Sequence, residues 1–169
     1  LSDLLFGLGP LNGEFSQNFL IYWGGGTRFA DASSMTPESP GCMFPVIDDF
    51  NQDGYHDIIC PNYAPAADGG VRYSVIYWGG SDSPTWDHDN VNNRSCLQLQ
   101  PPVPSLYASV GDFNENGERD LLLTSSRETS NGYPNTRLYW DVSTDSYGDY
   151  EDIQVGNLLT WPVVLGATK

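Results

Sequence analysis

The stretch DDFNQDGYHDIIC, Asp48 to Cys60, returns as GDFNENGERDLLL, Gly111 to Leu123, with acids, amides and a glycine in the same slots. Each time a polar loop runs straight into an apolar triplet. The loops open at Asp49 and Asp112, 63 residues apart. Downstream of them stand SVIYWGG, Ser74 to Gly80, and TRLYWDV, Thr136 to Val142, and NFLIYWGGG, Asn18 to Gly26, precedes both. The Tyr-Trp pairs fall at 22/23, 77/78 and 139/140, so one unit is written three times.

The ends of the chain follow the same phase. SDLLF, Ser2 to Phe6, matches HDIIC and RDLLL, which makes Asp3 the last aspartate of a loop whose earlier part is missing. WPVVLGA, Trp161 to Ala167, matches the strand that leads into each loop. The expected organisation is a single segment cut from a longer array. Its repeats cover about 1–42, 43–105 and 106–160, and a further one opens at 161–169.

The segments FPVI, DIIC and SVIYW are short, β-branched and aromatic, and Gly, Asn, Asp and Pro bound them. No long 3.6-residue periodicity competes, so the reading is all-β. A period of 55 to 63 residues with about four short strands per unit suits the four-stranded antiparallel blade of a β-propeller. Proline-rich stretches such as SMTPESPG and LQLQPPVPS read as connectors.

Composition bounds the partners. Twenty-two Asp and Glu against seven Lys and Arg give a formal charge of −15, which repels phosphate backbones and attracts cations. Nucleic acid is excluded as a partner class on that ground. Aromatic residues at 13% and hydrophobic residues at 39% are enough to bury a core, so the charge belongs to a folded protein. No apolar run is long enough to span a membrane. Cys42, Cys60 and Cys96 are compatible with one disulfide and a free thiol, and equally with three reduced buried thiols.

From Asp49 the first loop reads D-x-N-x-D-G-x-x-D: Asp49, Asn51, Asp53, Gly54, Asp57. Alternate oxygens converging on one centre suit a hard dication such as Ca²⁺, which takes about 6 to 8 oxygen ligands, a backbone carbonyl among them. That carbonyl would come from Tyr55. In the second loop the ligands would be Asp112, Asn114, Asn116, the Glu118 carbonyl and Asp120, with Gly117 at the turn. Having one acid fewer, the second loop is expected to bind more weakly. An EF-hand needs a bidentate Glu at position 12, where these loops carry Cys60 and Leu123, so two calcium loops that close β-hairpins are expected instead. The alternative is an Asx-rich turn with no metal, since the same residues dominate turns.

The acidic loop, the DIIC or DLLL strand behind it and the later YWGG strand together closely resemble the FG-GAP/VCBS repeats of integrin α-chain propellers and of many secreted bacterial proteins. The resemblance covers nearly the whole chain. It implies part of a propeller of about six to eight blades, Ca²⁺ in the hairpin loops, and an extracellular, secreted or cell-surface setting. It also implies a role in adhesion or in recognition of a protein or glycan ligand, with other repeats or chains completing the propeller. A second reading makes these blades the non-catalytic part of a secreted polysaccharide lyase or hydrolase, and a third makes them a structural subunit of an extracellular assembly.

Repetition of the Tyr-Trp pairs in each unit assigns them to packing between blades. Trp86, in the unrepeated polar stretch SPTWDHD, is the better candidate for a ligand contact. His56 and His88 have no general-base context, and no catalytic fingerprint occurs, so no enzymatic chemistry is expected within the chain.

Overall fold

The computed structural model describes residues 4–6, 20–22, 34–35, 42, 44–62, 73–79, 96–99, 105–124, 136–143 and 146–153. Eleven strands are defined: β1 (Leu4–Phe6), β2 (Leu20–Tyr22), β3 (Ser34–Met35), β4 (Val46–Asp48), β5 (Asp57–Cys60), β6 (Val75–Tyr77), β7 (Cys96–Gln98), β8 (Tyr107–Gly111), β9 (Asp120–Thr124), β10 (Thr136–Tyr139) and β11 (Tyr150–Ile153). The described residues contain no helix. Every pairing is antiparallel, and the strands form three sheets in chain order, β1-β2-β3, β4-β5-β6-β7 and β8-β9-β10-β11.

Two stretches expected to be connectors contribute strand. Ser34–Met35, the start of SMTPESPG, pairs with β2, and Leu97–Gln98, within LQLQPPVPS, pairs with β6. Leu97 lies opposite Ile76 and is partly buried against the core, so the apolar residue that the prolines masked in the sequence fixes a fourth strand.

Register sorts each sheet into two faces. In the second sheet Val46, Ile59, Ile76 and Leu97 lie in one cross-strand row, and Asp48 and Asp57 follow two residues along on the same side. This is the leading face. In the third sheet Ala108, Leu123 and Arg137 form one row and Val110, Leu121 and Tyr139 the next, and these make the trailing face.

The leading face of the second sheet packs on the trailing face of the third. Ile59, Ile76, Trp78, Phe50 and Leu99 form one buried cluster with Leu121, Leu123, Tyr139 and Val142. Each aliphatic side chain so buried contributes about 1.5–3 kcal/mol. The sheets also meet through Phe44 stacked on Tyr107, with ring centroids 4.9 Å apart, and through Arg119 paired with Asp48 at 3.8 Å. That ion pair is partly exposed and is worth at most about 1 kcal/mol.

Tyr77 and Tyr139 are fully buried and Trp78 nearly so, which agrees with packing as the role of these three residues, while Trp140 is half-buried. Arg137, 5% exposed, keeps its charge by forking onto Asp152, with Nε to Oδ1 at 2.5 Å and Nη2 to Oδ2 at 2.9 Å, and lies 4.2 Å from the Tyr150 ring centroid. Cys42 and Cys60 form a buried disulfide with Cα atoms 5.3 Å apart, which resolves the open cysteine question for this pair.

Candidate metal centre

The turn between β4 and β5 is shaped by its own side chains. Gln52 and Gly54 adopt left-handed φ of 59° and 92°, and Glu115 and Gly117 adopt 59° and 97° between β8 and β9. The two loops thus share one backbone course, which Gly makes accessible at the sharper position.

Within the first loop Asp49 Oδ2 accepts from the Gly54 amide at 3.0 Å, Asn51 Oδ1 from the Asp53 amide at 3.2 Å, and Asp53 Oδ1 from the Tyr55 amide at 2.8 Å. The Asn51 Nδ2 group donates to Asp53 Oδ2 at 3.1 Å. In the second loop Asp112 accepts from the amides of Asn116 at 3.0 Å and Gly117 at 2.8 Å. Asn114 Oδ1 accepts from the Asn116 amide at 3.0 Å and Asn116 Oδ1 from the Glu118 amide at 2.8 Å. The candidate oxygens of each loop are therefore gathered around one turn.

Asp57 and Asp120 stand apart from the other acids. Asp57 is fully buried, and its Oδ2 accepts from the Phe50 amide at 2.8 Å and the Asn51 amide at 3.4 Å, while Oδ1 accepts from the Gly79 amide at 2.7 Å. Asp120, also fully buried, accepts from the Phe113 amide at 2.7 Å and the Asp141 amide at 3.0 Å. Each carboxylate clamps the start of its loop to the end of the third strand in its own sheet. Burial pushes the Asp57 carboxyl up to about 6, against the downward pull of the Gly79, Phe50 and Asn51 amides.

Asp49 Oδ1 is buried and has no hydrogen-bond partner. A carboxylate oxygen without water or a donor is costly, and a cation is the partner that a ring of oxygens can offer it. Among the described residues no three His, Cys, Asp or Glu side chains form a metal-holding group by themselves, so a cation here would rely on the amide oxygens and backbone carbonyls as well.

Two participants carry no signal in the loop motif. Asp141 replaces the glycine that follows Tyr-Trp in the other units, and its Oδ1 accepts from Asn116 Nδ2 at 2.7 Å. Asp141 is thereby tied to the second loop through Asn116, a link the first loop has no acid to match. Gln52 reaches across to the other loop, donating from Nε2 to the Gly117 carbonyl at 2.7 Å. Misalignment with YWGG was the only trace of Asp141 in the sequence, and Gln52 had none.

His56 is exposed at the end of the first loop. Trp86, His88 and the first-unit Trp23 lie outside the described residues. Among the described residues no helix is long and apolar enough to cross a membrane. No family model matches the chain, and no curated protein or solved structure shows significant similarity to it.

Proposed function

We propose that the chain is part of a calcium-clasped β-propeller of the FG-GAP/VCBS kind, working outside the cell as a binding or adhesion module for a protein or glycan ligand. The observation that carries this reading is the pair of acidic loops, with left-handed turns at matching positions and joined side by side through Gln52 and Gly117, with a buried Asp49 oxygen left without a donor.

Asp49, Asn51, Asp53, the Tyr55 carbonyl and Asp57 would hold one Ca²⁺, and Asp112, Asn114, Asn116, the Glu118 carbonyl and Asp120 a second. The ion would act structurally, drawing together oxygens that otherwise repel, so that binding and folding are linked. Asp57 and Asp120 already hold backbone amides, so their part is first to set the loop and then to lend charge to it. The disulfide between Cys42 and Cys60 supports an oxidising compartment, where such bonds persist. No step of chemistry is assigned to the chain.

Calorimetric titration of chelator-treated protein with CaCl₂, paired with thermal melts, tests the reading. Two binding events and a clear rise in melting temperature are expected, and Asp53→Ala should remove one event. Absence of any binding heat and of any shift in melting would overturn it.

A further inference from the structure

The two loops meet along one seam, where the second sheet packs on the third. Gln52 stands between Asn51 and Asp53 in the first loop, and its Nε2 group donates to the Gly117 carbonyl of the second at 2.7 Å. That carbonyl belongs to the planar peptide unit whose amide, on Glu118, donates to Asn116 Oδ1 at 2.8 Å. One rigid unit of the second loop is therefore held by Gln52 at one end and by a candidate ligand at the other, and the Glu118 carbonyl follows it directly. In the first loop the peptide unit after Gln52 is held from within, its Asp53 amide donating to Asn51 Oδ1 at 3.2 Å.

A second contact crosses the seam at the stems of the loops, where Arg119 Nη2 lies 3.8 Å from Asp48 Oδ1. Asp48 immediately precedes Asp49 and Arg119 immediately precedes Asp120, so this pair also joins neighbours of candidate ligands in both loops. Neither contact is a property of the repeat. The counterpart of Gln52 is Glu115, whose carboxylate has no hydrogen to offer a carbonyl, and the counterparts of Asp48 and Arg119 are Gly111 and His56.

We infer, on the calcium reading of the loops, that the two sites are coupled: a cation taken up by one raises the affinity of the other, with Gln52 as the positioning residue that carries the effect. A cation in the first loop fixes the backbone on either side of Gln52. The Gln52 side chain is then held on the Gly117 carbonyl, which aligns Asn116 and the Glu118 carbonyl before a second cation arrives. Linkage makes the effect reciprocal, and each cation should tighten the other by about fivefold or more.

Calorimetric titration with CaCl₂ of wild type, Asp53→Ala, Gln52→Ala and the double variant tests this as a cycle. Asp53→Ala, with its first loop disabled, should bind at the second loop more weakly than wild type by that factor. Gln52→Ala should keep both binding events but show the same weakening, and adding Asp53→Ala to it should weaken the second loop no further. Gln52 is exposed, so its replacement leaves the core intact, and circular dichroism checks that each variant folds. Gln52→Glu, of equal length but without the donor, should behave as Gln52→Ala does. Second-loop binding that is equal in all four proteins overturns the coupling and leaves the calcium reading intact. Weakening that Asp53→Ala still produces in the Gln52→Ala background overturns the role of Gln52, and wild type without binding heat removes both the coupling and the calcium reading.

Discussion

Asp57 is where the loop and the fold can be separated experimentally. Its carboxylate, with no exposure to solvent, takes two short amide bonds, from Gly79 at 2.7 Å and Phe50 at 2.8 Å, and a longer one from Asn51 at 3.4 Å. Asp57→Ala leaves two well-aligned amides without an acceptor. Each unsatisfied group costs about 1–3 kcal/mol, so the loss from two should be about 2–6 kcal/mol, a large share of the total of about 5–15 kcal/mol for a domain. Asp57→Asn keeps one oxygen and turns a donor toward the other amide, and it should cost about 1–3 kcal/mol. Urea unfolding in EDTA reads this directly as a midpoint that falls in the order wild type, Asn, Ala with an unchanged slope. If the Asn variant matches wild type in EDTA and differs only in CaCl₂, the carboxylate holds no amides that matter and serves the cation alone, and the clamp argument fails.

The remaining expectations rest on other parts of the structure. Replacing Cys42 and Cys60 together by serine opens a link across 18 residues and should cost about 3 kcal/mol by the loop-entropy estimate, read as a lowered urea midpoint. Tyr139, fully buried, has its phenol pushed up to about 12 by burial, against the opposing pull of Arg137. The folded state thus holds this proton more tightly than the unfolded state, so the stability it contributes is complete below about pH 10 and is lost as pH rises through about 12. Melts across that window should show a drop that Tyr139→Phe reduces.

What could be read from the sequence was whatever repeats within a few residues. The loop motif with its apolar triplet located β5 and β9, and the Tyr-Trp pairs located β6 and β10, because alternation and turn chemistry are local signals. The strands β7 and β11 were hidden for opposite reasons. Leu97 sits in a proline-rich context that reads as a connector, and Tyr150–Ile153 is an acidic edge whose exposure leaves no apolar pattern to find. At the candidate site the same limit applies. Position 9 of the motif was expected to be a ligand, but its burial and its three amide partners depend on where Gly79 comes to rest 22 residues later. The approach of Asp141 to Asn116 spans 25 residues and that of Gln52 to Gly117 spans 65, distances at which spacing carries no information.

Gly79 and Asp141 show how two copies of a loop can share a clamp and differ in their surroundings. Both donate a backbone amide to the buried aspartate of their own hairpin. At Gly79 a Cβ would run into the His56 carbonyl, so the unit of the first loop admits no side chain there. At Asp141 the chain takes a φ of 48°, a conformation that Asp tolerates better than most residues, and this lets a carboxylate stand beside Asn116. The second loop thereby regains the acid that its motif lacks, at the expense of backbone strain and of repulsion from Asp112 in a chain of net charge −15. A hydrogen bond to Asn116 alone is a modest return, about 0.5–1.5 kcal/mol. On the proposed calcium reading, a dication shared by these oxygens would turn that repulsion into attraction. Calorimetry on wild type and Asp141→Ala tests this: if Asp141 lends its charge to the second loop, the variant should bind more weakly there, and unchanged binding would leave Asp141 outside the site.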